Sequence, residues 1–433
     1  MRGFLIIWSG QFVSAIGSAM TQFALTLWVW ELTGAATAIA LFSFFFQLPQ
    51  IFVTLFAGLL ADRFNRKHLM IFSDTCIVLC TLIVGLLYAT DTLRVWHLYG
   101  LAAVYGCFGP IQNLAYSTAI PLIVSSEHYT RVSSLASLVT YASAIFAPAL
   151  AGSLYPQIGL LGIILIDVAT FAIAVATLIW RRIPQPPPAD AETSQPESIV
   201  QKVVWGFRYI FSRPNLWVLT LTFSLFWFFQ QLGETLYQPV ILARSGGDAQ
   251  VLGAVVTAAG VGGAIGAIAL GIWGGFRSRV RGMLVGFMGI GLSKIALGVG
   301  RVPPLWMGAQ FFASLHLPLA FSSTNAIWYA AIPSHAQGRV FAADQAIGTI
   351  VGTFASLIAG PIADFIFEPA MQPGGALAPI FGRLFGSETG SGIAFVYTLS
   401  AVCILALGLV GSLLPSLHRV EKQAQEPDAV TES

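Results

Sequence analysis

Gly58-Leu-Leu-Ala-Asp-Arg-Phe-Asn-Arg-Lys67 interrupts an otherwise apolar part of the chain. One apolar run ends at Asp62, three basic residues follow within five positions, and a second run opens at His68. Two membrane helices joined by so short a loop form a tight turn at one face of a bilayer. Basic residues are retained on the cytoplasmic side, so Arg63, Arg66 and Lys67 put this turn inside. Asn65 falls in the turn, and Asn is one of the few residues that enters a left-handed conformation at small cost.

Composition points the same way. The chain has 433 residues, of which 56% are hydrophobic and 9% charged. A soluble domain carries about a quarter charged residues, so this chain cannot clothe a water-soluble surface and reads as an integral membrane protein. The net charge of +2 says little by itself. Cys76, Cys80, Cys107 and Cys403 all lie inside apolar runs with no Cys-x-x-Cys pair, which predicts small buried residues rather than disulfides or metal ligands. The first apolar run continues to Trp30, too long for a cleavable signal peptide. No metal, cofactor or nucleic-acid partner is expected.

A membrane span needs about 20 apolar residues. On that rule twelve spans are predicted, at 4–30, 36–61, 68–89, 95–121, 130–155, 159–180, 215–242, 250–275, 281–300, 304–331, 339–366 and 392–414. The even number puts both termini on one side. With the N-terminus inside, Arg94, Arg244, Arg301 and Arg383 face outward, Lys294 lies within a span, and the other sixteen of 21 basic residues are cytoplasmic. The fold class is therefore all-α, with twelve transmembrane helices and both termini cytoplasmic.

The expected organisation is a first six-helix half at 1–182, a linker at 183–214, a second half at 215–416 and a cytoplasmic tail at 417–433. Residues 183–198 are Pro-rich and polar, a solvated connection. Ile199, Val203, Phe207 and Phe211 then recur every fourth residue, which predicts an amphipathic helix on the inner membrane surface. Residues 367–391, rich in Gly and Pro, form an unusually long outer loop to which no role is assigned.

The halves repeat. Ala119-Ile-Pro121 recurs as Ala331-Ile-Pro333, Arg131-Val132 as Arg339-Val340, and Gly152 as Gly360; Gly58 and Arg66 likewise correspond to Gly271 and Arg279. The Gly58–Lys67 stretch resembles the signature between helices 2 and 3 of the major facilitator superfamily, with Asn65 where glycine is usual. That resemblance, together with the duplication, implies two six-helix pseudo-repeats with the substrate site between them near mid-membrane.

The same resemblance implies a cytoplasmic gate. Gly58, Asp62, Arg63, Arg66 and Lys67 in the first half, with Arg279, Arg339 and Asp344 in the second, are its candidates; the charges would make helix-to-helix contacts in one state and lose them in the other. The plain alternative is that the basic residues only anchor topology. In span 5, Ala144-Ile-Phe-Ala-Pro148-Ala-Leu-Ala-Gly152 resembles the superfamily's antiporter motif, and Pro148 and Gly152 are expected to kink the helix and admit a close neighbour. Packing alone explains that stretch equally well. Gly260, Gly262, Gly263 and Gly266 in span 8 match neither a dinucleotide fingerprint nor a P-loop and read as helix packing. Without a nucleotide site, energy comes from an ion gradient or from the solute's own gradient.

Ionisable groups inside spans are costly and are functional candidates by default. They are Asp74, Asp167, Glu234, Lys294, His316 and Asp344. In the superfamily, helices 1, 4, 7 and 10 line the cavity, so the resemblance assigns Asp74, Asp167 and Lys294, on spans 3, 6 and 9, to helix-to-helix bonding. Glu234 and His316, on spans 7 and 10, are the proton-coupling candidates. They lie about nine and about twelve residues from their outer ends, roughly 14 and 18 Å, near enough in depth to share a proton. Gln22, Gln112, Asn113, Trp227, Gln230, Asn325 and Trp328 are the expected cavity lining. An aromatic cavity with amides and one acid suits a bulky amphipathic solute.

Within the superfamily the chain is similar to the bacterial macrolide- and enterobactin-exporter group, through Ala57-Gly-Leu-Leu-Ala-Asp-Arg63, Phe207-Arg-Tyr-Ile210 and Gly338-Arg-Val-Phe341. The similarity implies a monomeric carrier in the bacterial inner membrane, not an enzyme. It would export a drug or siderophore-like metabolite in exchange for protons or another ion. Export of one endogenous siderophore, and a non-transporting assembly or lipid-handling role on the same fold, are the alternatives.

Overall fold

The computed structural model of the chain describes residues 2–63, 65–180, 199–415, 417 and 419; within these, the side chains of 2–3, 54–63, 126, 130, 199–200, 202–203 and 334–335 are not described. The Pro-rich 183–198 segment and nearly all of the 417–433 tail thus lie outside the described residues. The helices are α1 (Arg2–Thr33), α2 (Ala36–Arg63), α3 (Arg66–Ala89), α4 (Val95–Ile123), α5 (Tyr129–Trp180), α6 (Ile199–Phe211), α7 (Pro214–Ser245), α8 (Ala249–Trp273), α9 (Arg279–Val299), α10 (Pro303–Ala331), α11 (Ser334–Pro361), α12 (Glu368–Met371), α13 (Ala378–Phe385) and α14 (Ser391–Leu413). No strand occurs among the described residues.

Nine of the described helices are long and apolar enough to cross a membrane. One of the nine is α5, which is two spans: Gly159 breaks it at φ 63° and ψ −173°, a left-handed turn that only glycine adopts cheaply. The polar and proline-bearing α4 and α10, each 29 residues long, complete the twelve crossings. The outer surface is inverted relative to a soluble protein. Ile272, Leu413, Trp180 and Phe365 are between 73% and 84% exposed, as suits side chains that meet lipid tails rather than water.

By contacts the chain forms two compact units, Met1–Ser194 with Ser245–Thr257, and Gln195–Arg244 with Ala258–Ser433. In the first, the N-terminal end of α8 packs on the first arm of α5. A Cβ on Gly152 would stand 2.7 Å from the Ala249 carbonyl oxygen, and one on Gly253 would stand 2.6 Å from that of Pro148. Pro148 and Gly152 therefore mark a close helix crossing, while the break in helical geometry falls at Gly159, where the chain reverses. In the second unit, Gly262 and Gly266 of α8 bring its backbone against the Phe311 and Leu315 carbonyls of α10. The span 8 glycines pack helices, as their sequence suggests.

Two details depart from the sequence reading. Asn65 is not left-handed: at φ −59° and ψ 119° it caps α3, its side-chain oxygen accepting from the backbone N–H of Lys67 (3.0 Å) and His68 (3.3 Å). Ser278 caps α9 in the same way by accepting from Arg281, and it follows Asn65 at the spacing that relates Arg279 to Arg66. The repeat thus extends to the caps. The second departure is α6, which docks on α11 rather than only lying on the surface. Its Gly206 meets the Arg339 carbonyl, and Ile210 is fully buried in the core of the second unit.

The long loop after α11 is folded. A π-turn at Ile362–Phe367 leads into α12, and the Glu368 carboxylate accepts from the backbone N–H of Gly390 (2.6 Å), Gly392 (2.8 Å) and Ile393 (3.2 Å), capping α14. Arg244 at the end of α7 donates to the carbonyls of Gly298, Gly300 and Phe385, so one guanidinium ties the end of α9 to α13.

Candidate transport cavity

Trp227, Gln230, Gln231 and Glu234 of α7 fall at helical spacing i, i+3, i+4 and i+7, one stripe of the helix. Gln310, Ser314, Leu317 and Phe321 make the corresponding stripe on α10. The two stripes, with Ala259 of α8 and Lys294 of α9, enclose a cavity of about 230 Å³ inside the second unit.

Its charged wall is a carboxylate and an ammonium. Lys294 Nζ stands 3.9 Å from Glu234 Oε2; the lysine side chain is 2% exposed and the glutamate 44%. Lys294 Nζ has no hydrogen bond among the described residues, and it lies 5.9 Å from the centroid of the Tyr397 ring. Glycine at 233 makes this approach possible, since a Cβ there would sit 3.4 Å from Nζ and 3.1 Å from Ser400 Oγ. An ammonium so deep is costly unless an opposite charge faces it, and Glu234 supplies that charge.

The polar wall carries unmet demand. Gln230 and Gln310 are 5% and 4% exposed, and the side-chain oxygen of each is buried without a hydrogen bond. Gln231 instead donates to Ser356 of α11 (3.2 Å), fixing the helix pair. Trp227 packs edge-on to Phe321 at 5.6 Å, and its indole N–H side fits against Gly352, where a Cβ would come within 2.8 Å. Charge, amide and aromatic surface therefore converge on one chamber, the arrangement that orients a small amphipathic molecule.

The other predicted residues are distributed more widely. His316 is not in this chamber: its Nδ1 lies 2.7 Å from the Phe312 carbonyl and its ring packs on Gly289 of α9. Equal depth does not fix helix rotation, so Glu234 and His316 do not meet. Trp328 is 2% exposed within the apolar core beside Ile327 and Ile332 and is not part of the lining of the Glu234 cavity. Asn325 and Asn113 are exposed. In the first unit Gln22 borders a separate cavity of about 60 Å³. Gln112 donates to Gln11 (3.2 Å), which in turn donates to Asp74 (3.4 Å).

Among the gate candidates, Gly58, Asp62 and Arg63 lie on the backbone of α2 with their side chains outside the described residues. Arg66 is half-buried at the start of α3. Lys67 Nζ donates to Ile179 O (3.0 Å), a cation on the last carbonyls of α5, and Arg279 donates to Ala326 O (2.9 Å) within α10. Arg339 lies over the Trp205 ring at 5.0 Å, and Asp344 is half-buried on α11. The Lys294–Glu234 pair was missed in sequence, because nothing there says that spans 7 and 9 touch. Gly233 beside the acid and the Gln310–Ser314 stripe were the available signals.

A model of the Major Facilitator Superfamily matches residues 7–246, more than half of the chain. The chain belongs to this superfamily. Like other facilitators it is a multi-pass membrane transporter of small molecules and not an enzyme. This facilitator is 25% identical over 365 residues to "Macrolide efflux protein A" of Streptococcus pyogenes, covering 84% of this chain and 90% of that protein. It is 21% identical over 367 residues to "Multidrug efflux pump Tap" of Mycolicibacterium fortuitum, covering 83% and 89%. A solved bacterial homologue of the human lysosomal transporter Spinster superposes with a TM-score of 0.70 at 14% identity, covering 98% of each chain. That likeness shows the facilitator fold and leaves the solute open.

Proposed function

We propose that this facilitator exports a bulky amphipathic small molecule from the cytoplasm in exchange for protons, and that the cavity around Glu234 is where solute and proton compete. The observation that carries the reading is the Lys294–Glu234 pair. Its carboxylate is open to the cavity while its ammonium is buried. A proton arriving at Glu234 removes the countercharge of Lys294, and a cationic solute arriving there competes with both. Either event changes the charge balance of a wall made by α7, α9 and α10, which gives binding at the site leverage over helix packing.

Trp227 and Phe321 offer apolar faces to the solute, while Gln230 and Gln310 offer hydrogen bonds. Gly58, Asp62, Arg63, Arg66, Lys67, Arg279, Arg339 and Asp344 are assigned to the cytoplasmic gate, with both termini on that side of the plasma membrane and the monomer as the working unit. Export as the direction rests on the relatives that carry efflux names. Purified protein in liposomes should exchange a macrolide or tetraphenylphosphonium for protons under an imposed pH gradient. Glu234→Gln should bind the cationic probe more weakly and lose the pH dependence of flux. Unaltered pH-driven flux in that variant would end the assignment.

A further inference from the structure

Asp167 lies on the second arm of α5, eight residues past the turn at Gly159, or about 12 Å into the helix. It is 4% exposed. No described lysine, arginine or histidine comes within ion-pair distance of it. An ionised carboxylate buried without a counter-cation costs several kcal/mol, on the order of the idealised penalty reduced by relaxation. A chain that keeps one there within a membrane span has a use for it.

What faces Asp167 is a set of three neutral hydroxyls, in a cavity whose lining is otherwise mostly apolar and includes Tyr105. Ser18 Oγ on α1 donates to Asp167 Oδ1 at 3.0 Å. One turn further along α1, Thr21 is 6% exposed; its Oγ1 borders the same cavity and faces the Asp167 carboxylate without making a hydrogen bond of good geometry. Thr81 of α3 lines the cavity from the other side, its hydroxyl reaching its own helix only at 3.4 Å, and Gln22 stands at the exposed edge. Close helix approach is built in. A Cβ on Gly17 would stand 3.2 Å from both Cα and Oδ1 of Asp167, so only glycine lets α1 lie this near the carboxylate. The adjoining space, about 60 Å³, is on the order of two water molecules by volume.

The donor set selects the ligand. Hydroxyl, amide and carboxylate oxygens are hard ligands for alkali and alkaline-earth ions; Cys80 is a single sulfur in the lining, where a soft metal would need several sulfur or imidazole ligands. One carboxylate balances one positive charge, whereas calcium sites gather several. We propose that the first unit binds a sodium-sized monovalent cation between Asp167, Ser18 and Thr21, with Thr81 and Gln22 completing the oxygen shell. The site lies wholly in the first unit, apart from the Glu234 cavity, and provides for a second coupling or structural ion.

The test is thermal unfolding of the full-length protein in lipid nanodiscs, with sodium chloride titrated against choline chloride at constant ionic strength and pH. No transported solute is added, so the result does not depend on the Glu234 reading. The unfolding midpoint should rise saturably with sodium, and Asp167→Asn should abolish the response. Ser18→Ala and Thr21→Val keep the carboxylate and the fold, and each should raise the half-saturating sodium concentration about tenfold. Equal midpoints in the two salts would overturn the proposal. So would a sodium response that survives Asp167→Asn, or one left unchanged by both milder variants. Stabilisation by an alkylammonium ion but not by sodium would reassign the pocket to an organic amine and overturn it equally.

Discussion

Lys294 and Glu234 face each other across 3.9 Å, one almost fully buried and the other open to the cavity. The asymmetry makes the lysine dependent on the glutamate, because water can solvate the carboxylate but not the ammonium. Glu234→Gln should therefore destabilise the protein by about 1–3 kcal/mol, less than for a fully enclosed pair because the acid is partly solvated. Adding Lys294→Met should recover most of that loss. Thermal unfolding of the two single variants and the double variant measures the coupling, and additive effects would mean that the two groups do not interact.

Two tryptophans that look alike in the sequence should behave differently. Trp227 borders the cavity and Trp328 sits in the core. Trp227→Ala should weaken solute binding severalfold with little change in unfolding temperature. Trp328→Ala should cost about 3–5 kcal/mol of stability, the usual penalty for emptying an aromatic core position. Binding isotherms and unfolding curves on the same preparations separate the two.

The crossing of α5 and α8 should tolerate no side chain. Gly152→Val places a branched side chain against the Ala249 carbonyl, a backbone atom that cannot rotate away. Overpacking of this kind typically costs about 1–3 kcal/mol. A variant that unfolds and transports like the wild type would contradict the geometry.

Glu368 should act as the clamp of the folded loop. Glu368→Ala removes three acceptor contacts from the start of α14 and should expose the 367–391 segment to proteolysis, with a loss of about 1–2 kcal/mol. Protease nicking in that segment, compared with the wild type, reads the effect.

The spans were legible because a 20-residue apolar run has few other uses, and the repeat was legible because both halves retain the same turn residues. Trp227, Gln230 and Glu234 could be picked out together because they share a helical stripe on a span that the superfamily turns toward its cavity. What the sequence withholds is rotation and neighbourhood. His316 matched Glu234 in depth yet packs on Gly289, and Trp328 belongs to the core although it shares a helix with Gln310. The Glu368 clamp joins residues more than twenty positions apart through backbone N–H groups, and a backbone donor leaves no side-chain signature. Asn65 shows the same limit on a smaller scale, since its residue type fits a left-handed turn and a helix cap equally well.

The most direct measurement follows proton release when solute binds. In weakly buffered detergent solution containing a pH indicator, at a pH acidic enough to protonate Glu234, wild-type protein should release protons as tetraphenylphosphonium binds, while Glu234→Gln, brought to the same occupancy with more probe, should release none. Undiminished release from the variant would place the exchangeable proton elsewhere and contradict the account.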